Sequence, residues 1–170
     1  GEPSGELCEF AAMFPVMRLI GNPFRTVGMT EDGLRMFGRV AQLAGVTTAT
    51  DLVNELNSDG IANLARITQE PDYPVRIVPA ASALTYANDS GLCVERLQEM
   101  KRLNHDKLHL GMVKLVVDGS IQGFTARVRW PGYFNGAPNG IWVIAPDVLD
   151  EMVQAYHDAG VQLHIHTNGD

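Results

Sequence analysis

Hydrophobic residues recur along the chain with two alternating periods, one typical of helices and one typical of strands. Four stretches place apolar residues three and four positions apart, and each stretch leads into a short extended run of apolar residues. Capping residues mark the helices, since Thr30 precedes one of them and Gly45 follows it, while Pro146 and Gly160 bracket the last. The pattern predicts four units, each a helix followed by a strand.

The predicted strands lie around residues 46–51, 75–79, 112–118 and 161–166, and the first reads as short and fully buried because it is rich in β-branched residues. The intervals along the chain between the starts of the first three strands are close to the roughly 31 residues that a (β/α)8 barrel allots to each unit. We therefore predict an α/β fold, a partial (β/α)8 TIM-type barrel of about four parallel strands. An open doubly wound sheet would show the same alternation, but the chain lacks the glycine fingerprint of a dinucleotide site.

The third spacing is longer because residues 120–144 intervene between a strand and the next helix. This segment is too rich in Gly, Pro and aromatic residues to form a helix. It leaves the carboxyl end of a strand, where α/β enzymes place their chemistry. It is either a lid that faces the substrate or a plain surface loop.

Composition excludes several classes of protein. Hydrophobic residues make up 45% of the chain and charged residues 19%, as in ordinary globular proteins. A net charge of −7 disfavours nucleic acid as a partner. No apolar run approaches the ~18 residues that suggest a membrane span, so we expect no membrane partner. Cys8 and Cys93 match no metal or redox spacing, which favours two buried thiols in a reducing, cytoplasmic compartment.

Lys114 stands in the middle of a predicted strand that is otherwise almost wholly apolar. Burying a lysine without a partner is costly, so its presence needs an explanation. A structural salt bridge is one. A Schiff-base lysine of a lyase or aldolase is another. The third is a neutral amine carboxylated by carbon dioxide, whose anionic carbamate could bridge two metal ions.

Two histidines lie on one face of the last predicted strand. Alternation sends Val161, Leu163 and Ile165 to one side, so His164 and His166 share the other. Adjacent parallel strands lie about 4.8 Å apart, so these histidines and Lys114 could point at one place. The combination favours a site for a divalent metal.

Four short motifs are similar to those of one protein family. They are VKLVVDGS at 113–120, HTNGD at 166–170, GELCE at 5–9 and GVTTATD at 45–51. Together they resemble the metal-dependent amidohydrolase superfamily, in the branch of N-substituted formamide deformylase and proteins described as exoenzyme regulators. The resemblance extends from about residue 5 to residue 170.

The resemblance implies a distorted barrel that hydrolyses small-molecule amides, or related C–N bonds other than peptide bonds, with metal-activated water. The enzyme would hold one or two metal ions, most simply zinc. Lys114 would be the carboxylated lysine that bridges two of them, and His166 would be a further ligand. His164 and Asp118 would support these ligands, and Asp170 would orient its loop or cap the following helix rather than bind metal. No other cofactor is implied.

The resemblance also identifies what the chain does not contain. The family takes further ligands from an H-x-H motif on its first strand, a histidine on the sixth and an aspartate on the eighth. We therefore expect residues 1–170 to be one fragment that corresponds to strands two to five of a larger enzyme and is inactive in isolation. Its unpaired strand edges should make it self-associate. A regulatory barrel module without catalysis is the remaining alternative.

Overall fold

The computed structural model describes residues 4–21, 27–86 and 90–170. Helices and strands alternate along the chain, as the hydrophobic pattern predicts. The helices are α1 (Glu9–Ile20), α2 (Glu31–Leu43), α3 (Ser58–Thr68), α4 (Ser90–Met100) and α5 (Pro146–Asp158), with short 3-10 turns at Ala83–Tyr86 and Lys101–Leu103. The strands are β1 (Thr48–Asn54), β2 (Arg76–Ser82), β3 (Met112–Val116) and β4 (Gln162–His166).

The four strands form one parallel sheet in the order β1-β2-β3-β4. Sequential order with a crossover between every pair of strands is the arrangement of a barrel wall. Strand bounds differ from the predicted ones by a few residues, since β1 and β2 extend further and β3 ends at Val116. None of the described helices is both long and apolar enough to cross a membrane.

The capping residues act where the sequence predicts. The hydroxyl of Thr30 accepts a hydrogen bond from the backbone N–H of Gly33, 3.2 Å away, at the start of α2. Gly45 and Gly160 follow the ends of α2 and α5 with φ of +71° and +65°, a conformation that glycine adopts without steric cost. Pro146 occupies the first turn of α5.

The prediction that the first strand is fully buried is wrong. Most residues of β1 are exposed, including Leu52 and Val53. The reason is position, because β1 lies at the edge of the sheet and pairs only with β2 among the described strands. Its β-branched residues reflect a preference for extended backbone, which an edge strand satisfies without burial.

The hydrophobic core lies between the sheet and the helices. Val113 and Leu115 point into it from β3, while Met112, Lys114 and Val116 point to the opposite face. Residues that complete the core from the helices include Leu64, Ile67, Cys93, Leu97 and Tyr156. Cys93 is buried as predicted, whereas Cys8 is exposed, contrary to prediction, because it precedes α1 outside this core.

Candidate active site

A row of polar residues crosses the sheet on the face away from the helices. Strand register pairs Ser82 with Lys114, and Lys114 with His164. His166 lies two residues further along β4, opposite Val116 and on the same face. The side chain of Lys114, on this same face, has a flexible four-carbon stem. Parallel register therefore brings together the lysine and the two histidines that the sequence marks as candidates.

Lys114 is buried, with 5% of its surface exposed. Within the described part of the chain, its amine forms no hydrogen bond or ion pair. Burial lowers the pKa of the Lys114 ammonium below its ordinary value, because removal from water disfavours the charged form. A structural salt bridge is therefore not what holds Lys114 here, at least with any described carboxylate. Burial therefore shifts the balance from the ammonium toward the neutral amine.

The imidazole of His166 is anchored on a backbone carbonyl. Its Nε2 lies 3.2 Å from the oxygen of Gly119, and the side-chain nitrogen of Asn168 lies 2.9 Å from the same oxygen. The Gly119 contact fits the tautomer with the proton on Nε2, because a carbonyl oxygen only accepts hydrogen bonds. The Asn168 side-chain nitrogen also lies 3.0 Å from Nε2, a contact that fits the tautomer with the proton on Nδ1. A metal-ligand role through Nδ1 requires the first tautomer. Nδ1 makes no hydrogen bond to the residues described, and in the Nε2–H tautomer it keeps its lone pair. This is how proteins commonly orient a metal-binding histidine.

Asp118 links the loop after β3 to the loop after β4, which begins next to His166. Its buried carboxylate accepts hydrogen bonds from the backbone N–H of Arg127, Asn168 and Gly169, at 2.9, 2.9 and 2.7 Å. Burial acts to raise the pKa of Asp118, but the three hydrogen bonds and the nearby His166 outweigh it, so the pKa lies below its ordinary value. Asp118 is thus an ionised clamp, with both oxygens engaged by the backbone.

Asp170 adds a second connection between the same loops. Its Oδ1 accepts a hydrogen bond from the backbone N–H of Arg129 at 2.7 Å, and its own N–H donates to the carbonyl of Arg127 at 3.2 Å. Gly169 leaves no room for a side chain, because a Cβ there would lie 1.7 Å from the Arg127 carbonyl oxygen. The loop after β4 and the loop after β3 therefore form one unit.

The segment 120–144 contains no regular helix or strand, as predicted. Its base is fixed by Asp118 and Asp170, and Arg127 stacks over the ring of Trp142 with its guanidinium carbon 5.1 Å from the centroid. Its tip is open, with Trp130 and Phe134 almost completely exposed.

Glu9 lies at the site without any role predicted for it. Its carboxylate accepts a hydrogen bond from the hydroxyl of Thr125, and a Cβ at Gly119 would lie only 2.6 Å from its Oε1. Glu9 also has φ of +62°, which is unusual for a residue with a side chain. The signal in the sequence was its place at the end of the motif GELCE.

A cavity of about 980 Å³ lies at the carboxyl ends of β1 and β2, under α1. Ser82 lines it and is also in register with Lys114, so the cavity borders the polar row. Apolar and charged groups share the remaining lining, which includes Phe14, Met17, Arg18, Met29, Glu55 and Asp59. The space is large enough for a small organic molecule.

The described residues hold only part of a metal-binding set. No group of three or more His, Cys, Asp and Glu side chains converges in the part of the chain that the structure describes. His166 and Lys114 nevertheless suit a metal, since one offers an oriented nitrogen and the other a desolvated amine. Asp118 and Asp170 are occupied by backbone N–H groups, which suits support rather than ligation.

Comparisons with known proteins identify related sequences and structures. Residues 26–170 match the family model described as the Amidohydrolase family. A Bacillus subtilis (strain 168) protein, YtcJ, whose name provisionally assigns it as an amidohydrolase, is 25% identical over 77 residues. That match covers 45% of this chain and 15% of the Bacillus protein.

Two crystal structures of uncharacterized metal-dependent hydrolases have a similar fold. The protein from Pyrococcus horikoshii OT3 superposes with a TM-score of 0.66 at 16% identity, over 95% of this chain and 32% of its own. The protein from Pyrococcus furiosus gives 0.65 at 18% identity, over 100% and 36%. The chain thus spans about a third of each, and the likeness confirms a partial TIM-type barrel. The match over residues 26–170 establishes that this chain belongs to the Amidohydrolase family.

Proposed function

We propose that the protein is a metal-dependent hydrolase of small-molecule amides, or related C–N bonds other than peptide bonds, and that Lys114 and His166 are metal ligands. One observation carries the proposal. Nε2 of His166 lies 3.2 Å from the Gly119 carbonyl oxygen and Nδ1 has no described hydrogen bond, on the same sheet face as a buried lysine without a described partner. Family membership supports hydrolysis, and the names of the two Pyrococcus proteins support a metal.

The environment of Lys114 suits carboxylation. A neutral amine can attack carbon dioxide, forming an N–C bond and releasing one proton, and the resulting carbamate carries one negative charge shared by its two oxygens. Burial favours the neutral amine that this step requires. Imidazole nitrogen and carbamate oxygen together suit zinc. A bound metal ion would in turn neutralise the charge of the buried carbamate.

The other residues of the site would position the substrate and the ligands. A bound divalent ion would act as a Lewis acid on the amide carbonyl and would acidify water. His164 lies beside Lys114 and would support it, while Asp118 and Asp170 hold the loop that carries His166. The cavity beside Ser82 would receive the part of the substrate away from the scissile bond.

The test uses the full-length protein. We expect bound zinc or another divalent ion, hydrolysis of members of an amide panel, and loss of activity with a chelator. Lys114→Ala should lower kcat/KM by about 100-fold or more, because the loss of a ligand removes transition-state stabilisation. Lys107→Ala is the matched control, since that lysine contacts the backbone carbonyls of Glu70 and Pro71 instead.

Carbon-13 NMR after growth with labelled bicarbonate should show a carbamate signal that Lys114→Ala abolishes and Lys107→Ala retains. A metal-free protein whose amide hydrolysis ignores chelators and Lys114→Ala would refute the proposal. A carbamate signal that survives Lys114→Ala would refute the role of this lysine in particular.

The lowered pKa of Lys114 equally suits a second function, a Schiff-base lyase or aldolase. A neutral amine would attack a substrate carbonyl, and loss of water would give an imine. Borohydride reduction with a carbonyl substrate would then trap a covalent adduct on Lys114. Absence of an adduct, together with chelator-sensitive hydrolysis, would exclude this alternative.

We also propose that the 170-residue chain alone is inactive and self-associates through its strand edges. β1 and β4 each pair with one strand among those described, which leaves backbone donors and acceptors available at both edges. Light scattering during size-exclusion chromatography should report a dimer or larger species. A monomer at all concentrations would contradict the prediction.

A further inference from the structure

We infer that Glu9 is a positioning residue for His166, acting through Thr125 and the turn that presents the Gly119 carbonyl. The inference rests on the proposed function, because it concerns how the same site orients one of its candidate metal ligands. Glu9 lies far from β4 in sequence and at the start of α1. Its contacts nevertheless lead to His166 in three steps.

The first step is the contact between Glu9 and Thr125. The Thr125 hydroxyl donates its proton to Oε1 of Glu9 and accepts a hydrogen bond from the N–H of Ser120 at 2.9 Å. A hydroxyl has a single proton, so donation to Glu9 fixes its orientation and leaves its lone pairs for Ser120. Thr125 is buried, which makes this bond effective.

The second step is the turn itself. The N–H of Gly119 donates to the Thr125 carbonyl at 3.3 Å, and the N–H of Thr125 donates to the Ser120 carbonyl at 3.0 Å. A Cβ on Gly119 would lie 2.2 Å from the Thr125 hydroxyl and 2.6 Å from Glu9 Oε1. Thr125 and Glu9 thus pack directly against the backbone of Gly119, which has no freedom to move toward them.

The third step is the carbonyl of Gly119, which accepts the hydrogen bond from Nε2 of His166 at 3.2 Å. That oxygen favours the tautomer with the proton on Nε2 and sets where Nδ1 points, whereas the Asn168 side-chain nitrogen, 3.0 Å from Nε2, favours the other tautomer. The balance between the two depends on where the turn holds the Gly119 oxygen. By holding the turn in place, Glu9 and Thr125 therefore also set the position of the candidate ligand atom, Nδ1 of His166. The chain of contacts runs from a carboxylate to an imidazole without a direct bond between the two.

The backbone of Glu9 supports a functional role. Its φ of +62° is unfavourable for a residue with a side chain, and nothing in helix formation requires it at the start of α1. Such a conformation persists where the surroundings hold it, and it is common at functional sites. Here it accompanies the contact between the carboxylate and Thr125.

The experiment compares Glu9→Ala, Glu9→Gln, Thr125→Val and Thr125→Ser in the full-length protein. Glu9→Ala and Thr125→Val remove the bond, and each should weaken Zn²⁺ affinity about tenfold, as measured by chelator competition. The double variant Glu9→Ala/Thr125→Val should bind Zn²⁺ no more weakly than either single variant. Gln and Ser can each keep the bond, and both should bind Zn²⁺ more tightly than the Ala and Val variants.

A spectroscopic readout separates positioning from a merely structural role. Nitrogen-15 NMR of the metal-free protein should show the Nε2–H tautomer of His166 in the wild type and a mixture of tautomers in Glu9→Ala. The visible spectrum of the Co²⁺-substituted protein should change in the same variants. Thermal unfolding of each variant checks its fold, and Thr125→Val with Thr125→Ser serves as the test pair if Glu9→Ala does not fold.

Wild-type Zn²⁺ affinity and an unchanged His166 tautomer in Glu9→Ala and Thr125→Val would overturn the inference. A loss of Zn²⁺ affinity that only parallels a loss of thermal stability, without any change in the NMR or Co²⁺ spectra, would also overturn it. If the wild type bound no metal and hydrolysed no amide, the proposed function would fail instead. The His166 tautomer in metal-free protein would still decide the role of Glu9.

Discussion

Asp118→Asn tests whether the clamp between the two loops stabilises the fold. The variant has nearly the same shape as the wild type but no charge and only one acceptor oxygen. The amide oxygen can take the place of Oδ2 and keep its hydrogen bonds to Arg127 and Gly169. The amide nitrogen then faces the N–H of Asn168, so two donors oppose each other.

The magnitude follows from the three hydrogen bonds. A bond to a charged group contributes about 1.5–3 kcal/mol and one between neutral groups about 1 kcal/mol. Asp118→Asn loses one bond to a charged group and converts two others to neutral ones, in a buried place. We therefore expect the free energy of unfolding to fall by about 3 kcal/mol or more at pH 7.

The same difference should depend on pH. Asp118 has a folded pKa below the ordinary aspartate value of 3.8, so its stabilisation is complete above about pH 4. It is lost as the pH falls through the lower pKa of the folded state, because the carboxylate must then be protonated. Asn does not titrate, so the gap between wild type and variant should narrow in that acidic range.

Urea unfolding, followed by circular dichroism at pH 7 and at about pH 3, measures both effects. Asp150→Asn is the control, since Asp150 is exposed on α5, and its change should stay within about 0.5 kcal/mol. An Asp118→Asn variant as stable as the wild type at pH 7 would refute the clamp. A gap that widens with acid would refute the assigned direction of the pKa shift.

Two further substitutions test other parts of the site. Lys114→Met should stabilise the metal-free protein by about 1 kcal/mol in thermal or urea unfolding while abolishing amide hydrolysis, because it replaces a buried amine with an apolar side chain; a destabilised variant would contradict the desolvation of Lys114. Gly169→Ala should lower the free energy of unfolding by about 1–3 kcal/mol, since its Cβ would collide with the Arg127 carbonyl. Gly28→Ala, which has open space, should be close to neutral in the same assay, and equal effects at the two glycines would argue against this packing.

The row of site residues could be predicted because it depends on period and register. Alternation along β4 puts His164 and His166 on one face, and parallel pairing aligns that face with Lys114. These are local rules that a sequence obeys wherever a strand forms. The elements and their caps could be predicted for the same reason, as with Thr30 and α2.

Contacts between distant segments could not be predicted in this way. The sequence places an acid after β3 but does not indicate that Asp118 binds N–H groups of two different loops. Glu9 meets Thr125 only because α1 folds back onto the loop after β3. The exposure of β1 likewise depends on which strands stand beside it, a property of the whole sheet rather than of its β-branched residues.

The loop after β3 divides into a part that cannot change length and a part that can. From Asp118 to Arg129, hydrogen bonds within the loop and to the loop after β4 fix the backbone, so an insertion there would displace His166. Around Phe134 the chain is exposed and could accept residues added or removed without disturbing the base. Related proteins could therefore evolve new selectivity by exchanging the tip alone, and an engineer could do the same by grafting loops at this point.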